Sequence, residues 1–355
     1  MKTGSVLACL GAAALSTWSA PVRYKDAVFA DVTTASNILY GGAKNHAGVV
    51  EQLLMDVYQP AGDTAKARPL LIFIHGGGFS AGSKTDGDIV FLCRTFAMKG
   101  YVTASFGYRL ETPLSTLPAM ATEIVRAVQD GKAAVRYLRA HKADYKIDDS
   151  RIMMGGTSAG GALSVNYAYM ENDEIPSYID TASIGGMEGS SGTPGVSSAI
   201  NGIINCWGGI GDSTVLDDAR LPAISFHGTN DNTVPYDVGY ALGNPALTMV
   251  GSACVHRVLT RKGVRSVLKP FVGMGHGIPG GDKRTDTLVT MTTDFAYEIL
   301  FGSSIAIRGA GRTETMPGPL WRTQPGFLAA PDRNDRAGGK VFSADGRVFI
   351  LSPLP

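Results

Sequence analysis

The stretch Arg151-Ile152-Met153-Met154-Gly155-Gly156-Thr157-Ser158-Ala159-Gly160-Gly161 decides how the rest of the chain is read. An apolar run stops at two glycines, and a serine stands at the centre of Gly156-Thr157-Ser158-Ala159-Gly160. Residues 162–168 then continue with a composition suited to a helix. A strand that turns sharply into a helix lifts the intervening side chain off the sheet edge, and the new helix aims its unpaired N–H groups at the same spot. G-x-S-x-G in that setting is a nucleophile elbow. By itself the motif is weak, because a chain with 45 glycines meets it by chance. It gains weight only if the chain also supplies a base, an acid and an anion-holding loop.

Working outward, each side of the elbow yields strands of nearly continuous apolar residues. Pro69-Leu70-Leu71-Ile72-Phe73-Ile74 precedes it, as does Tyr101-Val102-Thr103-Ala104-Ser105-Phe106. Residues 199–206, 221–226 and 266–271 follow it. Residues 53–58 alternate as an earlier strand. Helical periodicity is expected over residues 91–98, 119–141, 245–261 and 286–300, and residues 119–141 carry Ile124, Val128, Val135 and Leu138 on one face. Apolar strands alternating with helices imply right-handed βαβ units in a sheet covered on both faces. The Gly/Ser-rich residues 183–198 are long for a connection, and a lid, a pocket rim or surface filler all fit them.

The chemistry then falls on strand ends. A serine hydroxyl needs a base in hydrogen-bond reach, itself oriented by an acid. His227-Gly228-Thr229-Asn230-Asp231-Asn232-Thr233-Val234-Pro235 follows one strand and offers Asp231. Gly273-Met274-Gly275-His276-Gly277 follows the last and offers His276. The order Ser158, Asp231, His276 is the one the elbow architecture requires. Asp237 is the second choice for the acid. His227 is the second choice for the base, although it precedes the acid and suits a loop brace better. His75-Gly76-Gly77-Gly78-Phe79 follows the strand ending at Ile74. Its glycines also match a G-x-G-x-x-A pattern, but no helical run and well-placed acid follow as nucleotide binding demands, and Ser83 rather than Lys84 follows Gly82, so a phosphate loop fails too. Bare N–H groups facing an oxyanion suit the loop better, with His75 as a structural residue.

These segments, with Gly107-Tyr108-Arg109-Leu110, resemble the α/β-hydrolase superfamily. More narrowly the chain is similar to bacterial carboxylesterases of the hormone-sensitive-lipase-like and feruloyl or acetyl-xylan esterase-like groups, over residues 53–300. The resemblance implies an α/β-hydrolase fold with a mostly parallel central sheet and helices on both faces. It implies Ser158 as nucleophile, His276 as base and Asp231 as acid. The N–H groups of Gly77, Gly78 and Ala159 would form the oxyanion hole, and Phe79, Tyr108 and Trp207 fit equally as walls of the substrate pocket or as core. Neither metal nor organic cofactor is implied. The substrate would be a small-molecule or saccharide-linked ester. Two positions depart from the pattern: Thr157 stands where lipase-like members often carry an acid, and Gly107 replaces the usual Asp of Asp-Tyr-Arg-Leu. A serine peptidase on the same scaffold and a non-catalytic binding protein are the competing readings.

Composition limits the rest. The 355 residues carry a formal net charge of +1 and no dense Lys/Arg run, which argues against a nucleic-acid partner. Residues 1–19 read as a secretory signal peptide with cleavage after Ser19, their apolar part too short for a stable membrane anchor. Secretion to the periplasm, cell surface or medium follows from that reading. Residues 20–303 form the expected catalytic domain. Residues 304–355 form a Gly/Pro/Arg-rich tail with a β-hairpin turning at Asp345-Gly346, similar to a remnant of a sorting module. Cys93, Cys206 and Cys254 remain after the leader. A Cys206–Cys254 disulfide and three buried thiols both fit, and no Cys-x-x-Cys or His-x-x-x-His spacing suggests zinc.

Overall fold

The computed structural model describes residues 20–110, 116–278 and 283–302, with two short strands at 340–342 and 348–350. In chain order the elements begin with β1 Val32–Lys44, β2 Val50–Pro60, β3 Arg68–Ile74, α1 Gly87–Met98, β4 Val102–Phe106, α2 Leu117–Ala140 and the single turn α3 Lys142–Tyr145. Next come β5 Ile147–Thr157, α4 Ala159–Tyr169, the single turn α5 Thr181–Ile184, β6 Gly202–Cys206 and β7 Ala223–Gly228. The chain continues through β8 Val238–Tyr240, β9 Thr248–Val250, α6 Ser252–Arg261, β10 Ser266–Phe271 and α7 Lys283–Phe301. The central sheet has eight strands in the order β1-β2-β4-β3-β5-β6-β7-β10. β1 and β2 form an antiparallel pair, β2 meets β4 antiparallel, and all later pairings are parallel.

β3 shows why the central strands are apolar throughout. Leu70, Ile72 and Ile74 enter a core shared with Val125 and Val128 of α2, Leu163 of α4 and Leu259 of α6. Leu71 and Phe73 enter a second core with Phe96 of α1 and Phe295 and Leu300 of α7. Side chains alternate across a strand, so a sheet covered twice needs apolar residues at both parities. Each such side chain contributes about 1.5–3 kcal/mol on burial. α2 starts where Thr116 accepts a hydrogen bond from the Ala119 N–H, with Pro118 in its first turn.

Several expectations need correction. β1 has no counterpart in the sequence reading, because it is an edge strand with mostly exposed residues and therefore no apolar run. The helix expected over 245–261 begins only at Ser252; residues 248–250 instead pair antiparallel with β8. Gly251 stands at the break as the residue before the helix, and only a glycine fits there, since a Cβ would lie 1.8 Å from the Pro235 carbonyl oxygen. The Gly/Ser-rich stretch is tied to α2 and β1, and its Ser183, Ile184, Ser190 and Ser191 line a cavity with Arg109 and Gln129. Arg136 of α2 donates to the Glu188 carboxylate (2.7 Å) and to the Ser191 carbonyl (2.6 Å), Lys132 pairs with Glu188 (2.9 Å), and Gly42 of β1 donates to Ser191 Oγ (3.0 Å).

Cys93, Cys206 and Cys254 are free buried thiols, so Cys206 and Cys254 are not bridged. No helix among the described residues is long and apolar enough to cross a membrane. The leader expected at residues 1–19 and the linker at 308–339 lie outside the described residues. In the tail, β11 Lys340–Phe342 pairs antiparallel with β12 Val348–Ile350, with Asp345-Gly346 between them.

Candidate active site

Ser158 sits between β5 and α4 at φ 55° and ψ −115°. A non-glycine residue in so sparsely populated a region costs about 1–3 kcal/mol, so neighbouring structure must hold it there. Its N–H donates to the Cys206 carbonyl of the adjacent strand (2.9 Å), and its own carbonyl accepts from Ala162 inside α4 (2.9 Å). The flanking glycines answer to space: a Cβ on Gly156 would stand 2.5 Å from the Ile74 carbonyl oxygen, and one on Gly160 would stand 2.2 Å from it. Without side chains there, the elbow and the first turn of α4 can press against the end of β3.

That contact brings the β3 loop beside the serine. A Cβ on Gly76 would lie 3.1 Å from Ser158 Cβ. Gly77 and Gly78 adopt φ of 100° and 62°, and the Gly77 carbonyl turns back to accept from Ser80 and Ala81 (3.1 and 3.0 Å). Among the described residues, the N–H groups of Gly77, Gly78 and Ala159 have no backbone acceptor.

The candidate base and acid arrive from two other strand ends. His276 Nε2 lies 2.8 Å from Ser158 Oγ, and His276 Nδ1 lies 2.7 Å from Asp231 Oδ2. A carboxylate only accepts, so the imidazole proton sits on Nδ1 and Nε2 is left to receive the serine proton. Asp231 Oδ1 accepts from the Thr233 and Val234 N–H groups at 2.8 and 2.9 Å. Burial alone would raise the Asp231 carboxyl, but hydrogen bonds from His227, His276 and Val234 outweigh it and hold the group well below the usual carboxylate range. The alternatives lie elsewhere. Asp237 is exposed and paired with Arg257 (2.7 Å). His227 is fully buried, its Nε2 3.1 Å from the Val234 carbonyl oxygen and 3.2 Å from Asp231 Oδ2.

The three aromatic candidates divide between packing and cavity lining. Tyr108 is a brace: its hydroxyl lies 3.2 Å from both the His75 and Gly76 carbonyl oxygens, and its ring stacks on His75 at 4.4 Å. His75 in turn donates from Nδ1 to the Gly76 carbonyl (2.8 Å), and burial lowers its pKa, which keeps it a neutral structural residue. Phe79 is buried against Tyr108, their ring centres 6.0 Å apart. Trp207 does line a cavity of about 340 Å³, together with Asp88, Phe91, Leu92, Thr157 and Ile278. The cavity starts one residue before Ser158 and two residues after His276. Asp88 escaped sequence reading; it accepts from the Thr157 hydroxyl at 3.0 Å, which gives the unusual threonine of the elbow a role. The only hint was an acid at the start of α1, which reads as ordinary helix composition.

A serine on a strained strand-to-helix turn, with its partners on the ends of later strands of one mostly parallel sheet, is the arrangement of the α/β-hydrolase fold, and the chain has that fold. Within it, residues 55–210 match the BD-FAE family. Over 134 residues the chain is 32% identical to esterase LipC of Mycobacterium tuberculosis, covering 36% of this chain and 31% of that protein. Over 119 residues it is 34% identical to the carboxylic ester hydrolase LipN of the same organism, covering 33% and 28% respectively. The matches thus span less than a third of these relatives' lengths. Among solved structures, Thermogutta terrifontis esterase 2 phosphorylated by paraoxon superposes with a TM-score of 0.55 at 24% identity, covering 80% of this chain and 99% of that one.

Proposed function

We propose that the protein is a serine carboxylesterase acting on neutral esters of small or saccharide-linked acyl groups, exported by the leader at residues 1–19. The observation that carries this is the unbroken chain from Ser158 Oγ through His276 to Asp231, at 2.8 and 2.7 Å. Ser158 Oγ attacks the ester carbonyl carbon while its proton passes to His276 Nε2. The imidazolium so formed keeps its Nδ1–H on Asp231. The carbonyl oxygen, now negative, is received by the N–H groups of Gly77, Gly78 and Ala159; loss of one such donor typically costs about 100- to 1000-fold in turnover. Collapse breaks the bond to the alcohol oxygen, which takes the proton from His276. Water then loses a proton to His276, attacks the acyl-enzyme, and releases the acid and Ser158.

The cavity bounded by Phe91, Leu92, Trp207 and Ile278 supports a compact apolar group on one side of the ester, with the Asp88 carboxylate disfavouring an anionic one. The names of LipC and LipN support ester hydrolysis, and the paraoxon adduct of the Thermogutta enzyme suggests a direct probe. p-Nitrophenyl esters of increasing acyl length should be hydrolysed, shorter ones faster. Ser158→Ala should lower turnover at least about 1000-fold without loss of thermal stability. Paraoxon should inactivate the protein and add a diethylphosphoryl group to Ser158, detectable by mass spectrometry and absent in the variant. Hydrolysis of aminoacyl-p-nitroanilides in preference to esters would favour a peptidase. Turnover of neither, with no adduct, would sink the proposal.

A further inference from the structure

Asp231 is reached by a second hydrogen-bonded chain, from the buried side. It starts at Asn205 on β6, whose Oδ1 accepts the Gly208 N–H at 2.9 Å. That bond fixes the amide's orientation, so the Nδ2 that lies 3.1 Å from Ser252 Oγ is a donor. Ser252, the first residue of α6, therefore accepts from Asn205 and has its own proton to give. The acceptor within reach is His227 Nδ1, at 2.7 Å. An accepting Nδ1 places the ring proton on Nε2, which lies 3.1 Å from the Val234 carbonyl oxygen it donates to and 3.2 Å from Asp231 Oδ2. The opposite tautomer would turn a lone pair toward two acceptor oxygens. Asn205, Ser252 and His227 are all fully buried, so no solvent competes for these bonds.

We propose that Asn205, Ser252 and His227 are a positioning relay: they fix the orientation of the Asp231 carboxylate and, by sharing Oδ2 with His276, limit how strongly that carboxylate holds the His276 imidazolium. This rests on the esterase reading of the site. Two imidazole N–H groups divide the charge of one oxygen. Remove the His227 donor, and the carboxylate turns its full charge on His276, which then stays protonated to higher pH. Other groups do not replace it. Thr233 and Val234 donate to the other oxygen, Oδ1. Tyr236 meets His227 edge-on with ring centres 5.8 Å apart, and the Asp237–Arg257 pair is exposed and mutually neutralising. On the histidine loop, Arg284 of α7 contacts Met274.

The test uses the full-length protein and compares wild type with His227→Leu, His227→Gln and Ser252→Ala. In His227→Leu the acidic limb of the kcat/KM profile should move up by about half to one pH unit, with kcat reduced roughly tenfold and KM unchanged. Glutamine can offer an Nε2–H to the same oxygen, so His227→Gln should restore the limb. Ser252→Ala frees Nδ1 to take the proton and should shift the limb the same way by less. Histidine ¹⁵N NMR of the wild type should show His227 protonated at Nε2 and unprotonated at Nδ1. A folded His227→Leu whose limb does not move would overturn the relay, as would a His227 proton found on Nδ1. Should His227→Leu not fold, an unmoved limb in Ser252→Ala decides against it. Absence of ester turnover in the wild type would overturn the esterase reading instead, and the NMR tautomer would still judge the hydrogen-bond chain.

Discussion

Asp231 and Asp237 stand six positions apart, and what separates them is the company each keeps. Asp231 Oδ1 collects two backbone N–H groups and Oδ2 two imidazoles, whereas Asp237 spends both oxygens on the Arg257 guanidinium at the surface. Replacing Asp231 by Asn leaves the shape intact but offers an N–H where His276 needs an acceptor, which favours the wrong tautomer. Asp231→Asn should therefore reduce kcat on a p-nitrophenyl ester by roughly 1000- to 10,000-fold, while Asp237→Asn stays within about twofold of wild type. The reverse ranking would reassign the acid. The sequence could nominate serine, acid and base because the chemistry demands those residue types, in that order, just after strands. It ranked Asp231 above Asp237 and His276 above His227 from their order in the chain, but not from their contacts, which depend on which side chains the loops turn inward. Tyr108 shows a real limit: an aromatic near a glycine loop reads equally as pocket wall or core, and only its hydroxyl's contacts with the His75 and Gly76 carbonyls make it a brace.

Among the elements, those buried on both sides were legible, and of the two edge strands β10 was read from its sequence while β1 was not. β3 announces itself by an unbroken apolar run, and the second half of β5 and most of β7 by nearly continuous ones, since both faces of these segments are covered. β1 is stabilised by pairing with β2 more than by burial, so no hydrophobic period marks it. The turn before β3 shows polar residues setting an element's position. Asp63 accepts from Arg68 Nε (2.6 Å), from Arg23 and from the Ala65 N–H (3.0 Å), which ties the segment before β1 to the start of β3. Burial by itself would raise the Asp63 carboxyl, but these donors together hold it well below its ordinary value. A carboxyl depressed on folding stabilises the fold above its unfolded pKa, about 4, and that stabilisation is lost as pH falls from there toward the folded value. Thermal unfolding followed from pH 7 down to pH 2.5 should show the wild-type Tm dropping below about pH 4. Asp63→Asn should start lower at pH 7 and fall less steeply over that window. Parallel curves for the two proteins would show that Asp63 does not supply the dependence.

At the scale of the whole molecule, the parts around the sheet are joined by one guanidinium. Arg109, in the segment after β4, lies 5% exposed against an Asp130 carboxylate that is 0% exposed on α2. Its Nη2 meets Asp130 Oδ1 at 2.8 Å and also donates to the Arg126 carbonyl (2.9 Å) and Gln129 Oε1 (3.1 Å), while Nη1 reaches the Lys44 carbonyl at the end of β1 (2.8 Å). Gln129 then donates to the carbonyls of Ile184 and Gly186 at 2.8 and 2.6 Å, so the same cluster holds the Gly/Ser-rich connection. An ion pair so fully buried gains little over an apolar pair, since desolvation offsets attraction, but removing one partner strands a charge. Arg109→Met should therefore cost about 3–5 kcal/mol in urea unfolding, against a total stability typically near 5–15 kcal/mol. Combining it with Asp130→Leu should recover much of that loss, because no orphaned carboxylate remains. The folded fraction of each variant should keep wild-type KM for an ester, since neither residue touches Ser158 or its partners. A single variant as stable as wild type, or a double variant no better than the single, would mean that the cluster follows the packing of α2 and β1 instead of securing it.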